Sequence, residues 1–307
     1  MRRVWGGLIL VLGAGLTPFV IGADVPAAGE IVVVDVDGKE HTLTGVKFGT
    51  GTKRLAWLAD PNGNTEDAKK GPLALEVRES TSAMPLAQGI ITLVPITSIE
   101  SLRYDFDKEL VSIAVKGLSQ PLSGALFYPR VNVIGISGTS STNTTSFTGG
   151  VRGKPSVKSI SLGGAQPHTR SKGGTSWNIR IVKTKKDEPA VVDSPTLTAR
   201  NLKVLVSQPG GREQLLDGLP IRKGQPIPFD AKLKRFEFLA NDLNTNFAAA
   251  EIDLGSDAER VIAIPLGPSE DKTTGTLIGI LGEVDAGWKL FPLHTIKVIT
   301  PSKRKVE

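Results

Sequence analysis

The chain has 307 residues, with 37 Lys and Arg against 31 Asp and Glu, and its formal charge of +6 is too weak for a nucleic-acid footprint. It contains no cysteine, which excludes disulfides, thiol catalysis and thiolate metal sites. Aromatic residues make up 5% of the chain, few for the stacked platforms on which sugar-binding modules rely.

Met1-Arg2-Arg3 is a short basic segment, residues 4–22 are an apolar run broken by glycines and Pro18, and Ile21-Gly22-Ala23 offers a small-residue cleavage site. Together they read as a secretory signal peptide over residues 1–23. An uncleaved anchor is the alternative, since the run is just long enough to span a bilayer. Pro18 and the polar Asp24 favour cleavage. The expected location is therefore secreted or periplasmic, with membrane contact only through the signal peptide during export. The remaining chain is long enough for two modest domains held by ordinary cores.

Residues 31–37, IVVVDVD, are β-branched and close on Asp37-Gly38, a tight hairpin turn, and the return strand at 42–48 alternates. Residues 54–59 and 73–77 read as further strands, with Trp57 in the core. Between them, residues 60–67, DPNGNTED, space oxygen atoms as a calcium loop does. Thr65 and Gly71 occupy the positions that need Gly and Glu, so a solvated turn is the better account. Asp35 and Asp37 likewise read as hairpin-turn residues.

Residues 90–93 lead into LVPITSIESL at 93–102, which comes back as LFPLHTIKVI at 290–299. Aligned without gaps, Pro95 falls on Pro292, Ile96 on Leu293, Ile99 on Ile296 and Leu102 on Ile299. Proline lacks an N–H for a ladder and suits the start or edge of a strand. A second echo is a strand, a turn and a strand with a central glycine. It occurs at 31–48, 110–127 and 261–282, with Gly45, Gly124 and Gly279 as the glycines. Such a glycine marks a bulge, a bend or a close backbone approach. Bent antiparallel hairpins and an internal duplication are expected. Residues 111–127, VSIAVKGLSQPLSGALF, resemble the first strands of Sm-like and other SH3-type barrels. That resemblance implies a small barrel over this stretch and carries no function.

Residues 131–136 continue the β pattern, but 137–150, SGTSSTNTTSFTGG, and 163–174 are poor in apolar residues. Loops are expected across 137–175, interrupted by one strand at 157–162. Asn143-Thr144-Thr145 fits a glycosylation sequon. Gly153-Lys154 suggests a phosphate loop, but Thr148 and Pro155 stand where Gly and Ser or Thr are needed, and no helix follows. Residues 177–182 form a strand that ends a first module at 30–182. Residues 183–195, KTKKDEPAVVDSP, are the expected charged linker.

The second module, 196–300, opens with alternating residues 196–206. Residues 215–219 suit a brief helix or strand, and 232–239 set Phe236 and Phe238 on one face. Residues 241–250 read as the one helix. Stretches 251–254, 261–266, 276–281 and 288–299 complete the strands, and 301–307 are a basic tail. The fold class is all-β: two small β-barrel, β-roll or sandwich-like modules of antiparallel hairpins, with few or no helices.

His41, His168 and His294 lie in separate segments, and neither HExxH nor GxSxG occurs. His41 and His294 read as partly exposed strand residues. Trp57, Trp177 and Trp288 read as core rather than as a sugar platform. No catalytic, cofactor-binding or metal-binding residue stands out, and no carboxylate pair can be chosen from the many Asp and Glu. The function expected is that of an exported, non-catalytic β protein acting in protein–protein interaction or scaffolding, with a protein or acidic envelope polymer as partner. The alternatives are a hydrolase with a hidden carboxylate site, or a carbohydrate- or envelope-polymer-binding module.

Overall fold

The computed structural model describes residues 23–24, 30–48, 74–79, 89–108, 110–126, 133–140, 143–150, 156–171, 173–181, 196–207, 213–221, 225–230, 232–240, 247–255, 260–265 and 276–302. Among these there are strands, two three-residue 3-10 turns and no α-helix. The first half of the chain supplies β1 (Ala23–Asp24), β2 (Ile31–Asp35), β3 (Glu40–Phe48), β4 (Ala74–Glu79), β5 (Ile91–Pro95) and β6 (Ile99–Asp105). It continues with β7 (Leu110–Val115), β8 (Leu122–Leu126), β9 (Val133–Ser140), β10 (Asn143–Gly150) and β11 (Val157–Leu162). The second half supplies β12 (Ser176–Ile181), β13 (Thr196–Ser207), β14 (Glu213–Leu216), β15 (Gly218–Leu219), β16 (Ile227–Pro228) and β17 (Arg235–Ala240). It ends with β18 (Phe247–Asp253), β19 (Arg260–Pro265), β20 (Thr276–Val284), β21 (Gly287–Pro292) and β22 (Ile296–Pro301).

Among the described residues all pairings are antiparallel, and 20 strands join in one open sheet, while β15 and β16 pair apart. From its second-half end the ladder runs β19, β18, β17, β22, β12, β13, β20 and β21. It then crosses to β5 and runs β4, β8, β7, β6, β11, β2, β3, β9 and β10. Two hydrophobic cores lie on either side of the crossing, one around Val94, Ile99, Leu102 and Ile113, the other around Phe291, Ile296, Ile299 and Trp177. A third, smaller core fills the seam with Ala74, Ile91, Leu93, Leu205, Leu281 and Leu290. β5 is buried at every residue because its two faces serve the first core and the seam.

The two LxP stretches adopt one local structure. Pro95 and Pro292 end β5 and β21, and the 3-10 turns Ile96–Ser98 and Leu293–Thr295 follow. Ile99 and Ile296 then resume extended backbone, each donating its N–H back to the first residue of its turn. In a flat sheet β5 and β6 would stand ~19 Å apart across four strand spacings. A three-residue 3-10 turn advances roughly 6 Å. The sheet must therefore curl to bring the adjoining ends of β5 and β6 together.

The match extends well past these ten residues. At the seam Thr92 pairs with Lys289, Ile91 with Leu290 and Leu93 with Trp288. Under the alignment that sets Leu93 on Leu290, this set of pairs maps onto itself, as an approximate two-fold axis between Thr92 and Lys289 requires. Moving outward, Leu75–Val94 corresponds to Ile280–Phe291, and Arg78–Ala125 to Glu283–Arg200. Next, Val111–Gly124 corresponds to Trp177–Ala199 and Leu102–Ile113 to Ile299–Ile179. The register shift that skips Glu100 in β6 has its counterpart at Lys297 in β22. Ile160–Leu102 and Val33–Ile160 then match Phe236–Ile299 and Ile252–Phe236, and His41–Val33 matches Arg260–Ile252. Eight strands on each side share one pairing scheme. The order along the chain differs: the first half begins at β2, whereas the second begins at the counterpart of β7 and reaches that of β2 fourth.

Several expectations need correction. The loop expected from residue 137 to 150 is instead the β9–β10 hairpin, laid along β3. Its threonines are β-branched, and the cross-strand pair Ile136 and Phe147 gives it two buried apolar side chains. The helix expected at 241–250 is, over its described part, β18, because pairing with both β17 and β19 overrides alanine's helical preference. The third strand–turn–strand echo is no hairpin, since β19 pairs with β18 while β20 pairs with β13 and β21. Of the two alternatives for residues 215–219 the strand holds, with 215–216 in β14, 218–219 in β15 and a bend at Asp217. Pro301 still pairs with Trp177, so the ordered ladder includes the first residue of the expected tail. Trp177, Ile179 and Ile181 pack in the second core, and so does Ile90 from the first half. The expected linker at 183–195 lies outside the described residues, as do residues 1–22, 54–59, 60–67 and Gly153-Lys154.

Candidate functional site: a cleft on the seam

Buried charge concentrates where β20 turns into β21. Lys289 and Glu79 have side chains only 11% and 5% exposed, and the ammonium lies 2.8 Å from Glu79 Oε1. The Thr92 hydroxyl donates to the same oxygen. Strand registry explains the meeting. Lys289 pairs with Thr92, Thr92 with Val77, and Glu79 is two residues beyond Val77, so all of them share one sheet face. Ions so far from water need such partners, because an unpaired charge there costs several kcal/mol.

A second buried carboxylate, Glu283, is 2% exposed. The Ser171 backbone N–H (2.8 Å) and hydroxyl (3.2 Å) donate to its Oε1, and Asn201 Nδ2 donates to Oε2 at 2.8 Å. His168 Nε2 stands 3.4 Å from Oε1. Asn201 holds φ 49°, left-handed backbone that asparagine tolerates better than most residues, within the bulge between Arg200 and Lys203. These contacts strap the connector between β11 and β12 onto β13 and β20. At its other end Gln166 donates its backbone N–H to Thr97 of the first 3-10 turn at 2.9 Å. Ser171, His168 and Glu283 are the residue types of a hydrolytic triad, but both the serine and the histidine face the carboxylate, and the serine hydroxyl donates to Glu283. A Ser–His relay needs the imidazole between the other two.

Beside these groups lies a half-open cleft of about 720 Å³, inside the size range of ligand pockets. Leu118 and Leu122 from the first half line it. Leu197, Arg200, Glu283 and Lys289 from the second half line it as well. An Arg170–Asp285 ion pair sits at its rim.

Residues weighed from sequence are placed elsewhere. Asp35 Oδ1 accepts the backbone N–H groups of Asp37 (3.0 Å) and Lys39 (2.8 Å), and Oδ2 lies 2.9 Å from His41 Nε2. The His41 bond first, then the Lys39 N–H, hold the Asp35 carboxyl below the usual aspartate range. The His41 ring packs against Phe147, centroids 4.8 Å apart, so this group locks the β2–β3 turn to β10. Among the described residues no cluster of three or more acidic and histidine side chains is arranged to hold a metal ion. His294 is exposed in the second 3-10 turn, Trp177 is fully buried, and half-buried Trp288 packs on the seam core. Sequence reasoning missed Glu283, Ser171, Asn201 and the Glu79–Lys289 pair. Their one local signal is a trio of charges, Glu283, Asp285 and Lys289, in the otherwise largely apolar stretch 277–293.

No protein-family model matches this chain, and neither a curated protein nor a solved structure does.

Proposed function

We propose that the protein is an exported, non-catalytic scaffold that binds a protein partner in the cleft between two β modules. The cleft carries this reading, because both halves wall it and clefts at such boundaries are favoured binding places. Arg170, Glu283 and Lys289 of its lining are already bonded to protein partners, as suits a preformed binding surface. Each module is read as a small barrel of the SH3 type: the run β5–β4–β8–β7–β6 curls so that one 3-10 turn joins its outer strands. The resemblance at 111–127 covers β7 and β8 of that run. The matched registers support an internal duplication, with the second copy circularly permuted. The leader-like start favours the cell envelope or the exterior as its place of action.

Site-specific photo-crosslinking in the source cells tests the reading. A benzoylphenylalanine at Thr198, on the exposed rim of the cleft, should yield a discrete adduct, while one at exposed Lys158 on β11 should not. No adduct from Thr198, or equal adducts from both positions, refutes the cleft as the binding surface.

A further inference from the structure

Side chains along a strand point alternately to its two faces. Four consecutive residues, Leu197, Thr198, Ala199 and Arg200, nonetheless all line the cleft. For Leu197, Thr198 and Ala199, which have a partner strand on one side only, this places the cleft against the strand's edge. The ladders agree. Residues 196–200 of β13 pair with β12 on one side, and pairing with β20 on the other begins only at Arg200. Among the described residues, no strand lies along the second edge of Thr196 to Ala199. Backbone N–H and C=O groups on such an edge are a template for another strand.

The side chains around this edge divide by face. Leu197 and Ala199 alternate with Thr198 and Arg200, and Leu118 and Leu122 line the same cleft. Arg200 sits directly across from Glu283 in the ladder, but that carboxylate is occupied by Ser171 and Asn201. The other two lining cations have partners, Arg170 in Asp285 and Lys289 in Glu79. Among the described residues no carboxylate pairs with Arg200. The cleft therefore combines a strand edge, an apolar wall and one uncompensated cation.

From this geometry we infer that the cleft binds an extended peptide segment by strand addition to β13, with a carboxylate of the peptide on Arg200 and alternate apolar side chains against Leu118, Leu122 and Leu197. The inference rests on the proposed binding role and specifies the partner's chemistry. Main-chain hydrogen bonds supply affinity in this mode, and alternate side-chain pockets supply specificity. The open edge, four residues long, spans about 13 Å.

The probe is the fluorescein-labelled peptide Thr-Val-Glu-Val-Thr, capped at both ends and titrated with the full chain by fluorescence anisotropy. Saturable binding is expected, with slowed hydrogen exchange at residues 196–199. Arg200→Glu should weaken it by about tenfold or more, the size of a charge-assisted hydrogen bond. The lysine-centred peptide should then prefer the variant. Arg200→Gln serves as a second variant should the first fail to fold. Methylating the peptide's backbone nitrogens should abolish binding. No saturation up to about 1 mM, undiminished binding by the methylated peptide, or indifference to both Arg200 variants would overturn the inference. A crosslink from Thr198 that survives such a failure would leave the cleft as a binding surface but remove strand addition.

Discussion

Lys289→Met gives the sharpest test of the seam. The substitution keeps most of the side chain's volume and removes the charge that faces Glu79 across β5. Glu79 then keeps the Thr92 hydroxyl as a donor but no cation. Both side chains are nearly shielded from water, so the surface-pair discount does not apply, and breaking such a pair costs about 3–5 kcal/mol. Near the top of the usual urea range, an m-value of about 3 kcal/mol/M turns this into a midpoint drop of about 1–2 M. Urea unfolding of the protein at neutral pH, followed by tryptophan emission, measures it, with half-buried Trp288 beside the mutated position as a local reporter. Glu79→Met combined with Lys289→Met should recover most of the loss, because the desolvation penalty of both ions leaves with them. A single variant within about 0.3 M of the parent, or a double variant no better than the single, would refute the reasoning.

Three further outcomes follow from local geometry. Gly287 holds φ 133°, and a Cβ there would run into the Leu93 carbonyl across the seam, whereas Gly38 at φ 85° has open space around it. Gly287→Ala should therefore lower stability by about 1–3 kcal/mol more than Gly38→Ala, and equal melting temperatures would contradict the packing. Asn201→Gly keeps the left-handed backbone and loses only the bond to Glu283, a cost of about 1–3 kcal/mol. Asn201→Ala adds strain of about 1–2 kcal/mol, so denaturant midpoints should fall from parent to Gly to Ala, and the reverse order would disprove the strap. The Asp35 carboxyl, held low by His41 and the Lys39 N–H, should titrate below the ordinary aspartate value of about 3.9 in carbon-detected NMR. Its contribution to stability is present above that value and fades as pH falls through the lowered one. His41→Phe should raise the midpoint, and an unmoved midpoint would remove His41 as the cause.

How much of this was legible depends on distance along the chain. Pro95 and Pro292 announce themselves because proline at a strand end restricts both sequence and backbone in the same few residues. Strands 31–35 and 110–115 were equally readable from β-branched residues closed by a glycine turn. The wider match between the halves was hidden for two physical reasons. Its conserved property is burial rather than identity, as with Val111 opposite Trp177 or Ile160 opposite Phe236, and the chain visits the matching strands in a rotated order. Residues 137–150 misled because threonine and serine were counted as loop formers, when two apolar residues and a neighbouring edge suffice for a hairpin. The Glu283 group joins residues 82 and 112 positions away, and no local pattern encodes such meetings.

The proposed duplication also explains why the cleft is polar on one side. Matched core positions stay apolar: Val94 and Phe291, Ile99 and Ile296, and Leu102 and Ile299 are all at most 2% exposed. At the seam and beside the cleft, several matched positions differ in charge: Thr92 against Lys289, Glu79 against Val284, Arg78 against Glu283, and Ala125 against Arg200. Two identical copies meeting on a two-fold axis could not hold this arrangement. Lysine at both central positions would set two ammonium groups directly opposite each other, which is destabilising. Threonine at both would leave a buried Glu79 with no cation. Joining the halves in one chain lets each central position differ, so one lysine satisfies one glutamate. The same freedom leaves Arg200, whose counterpart is an alanine, as the cation that faces the open edge.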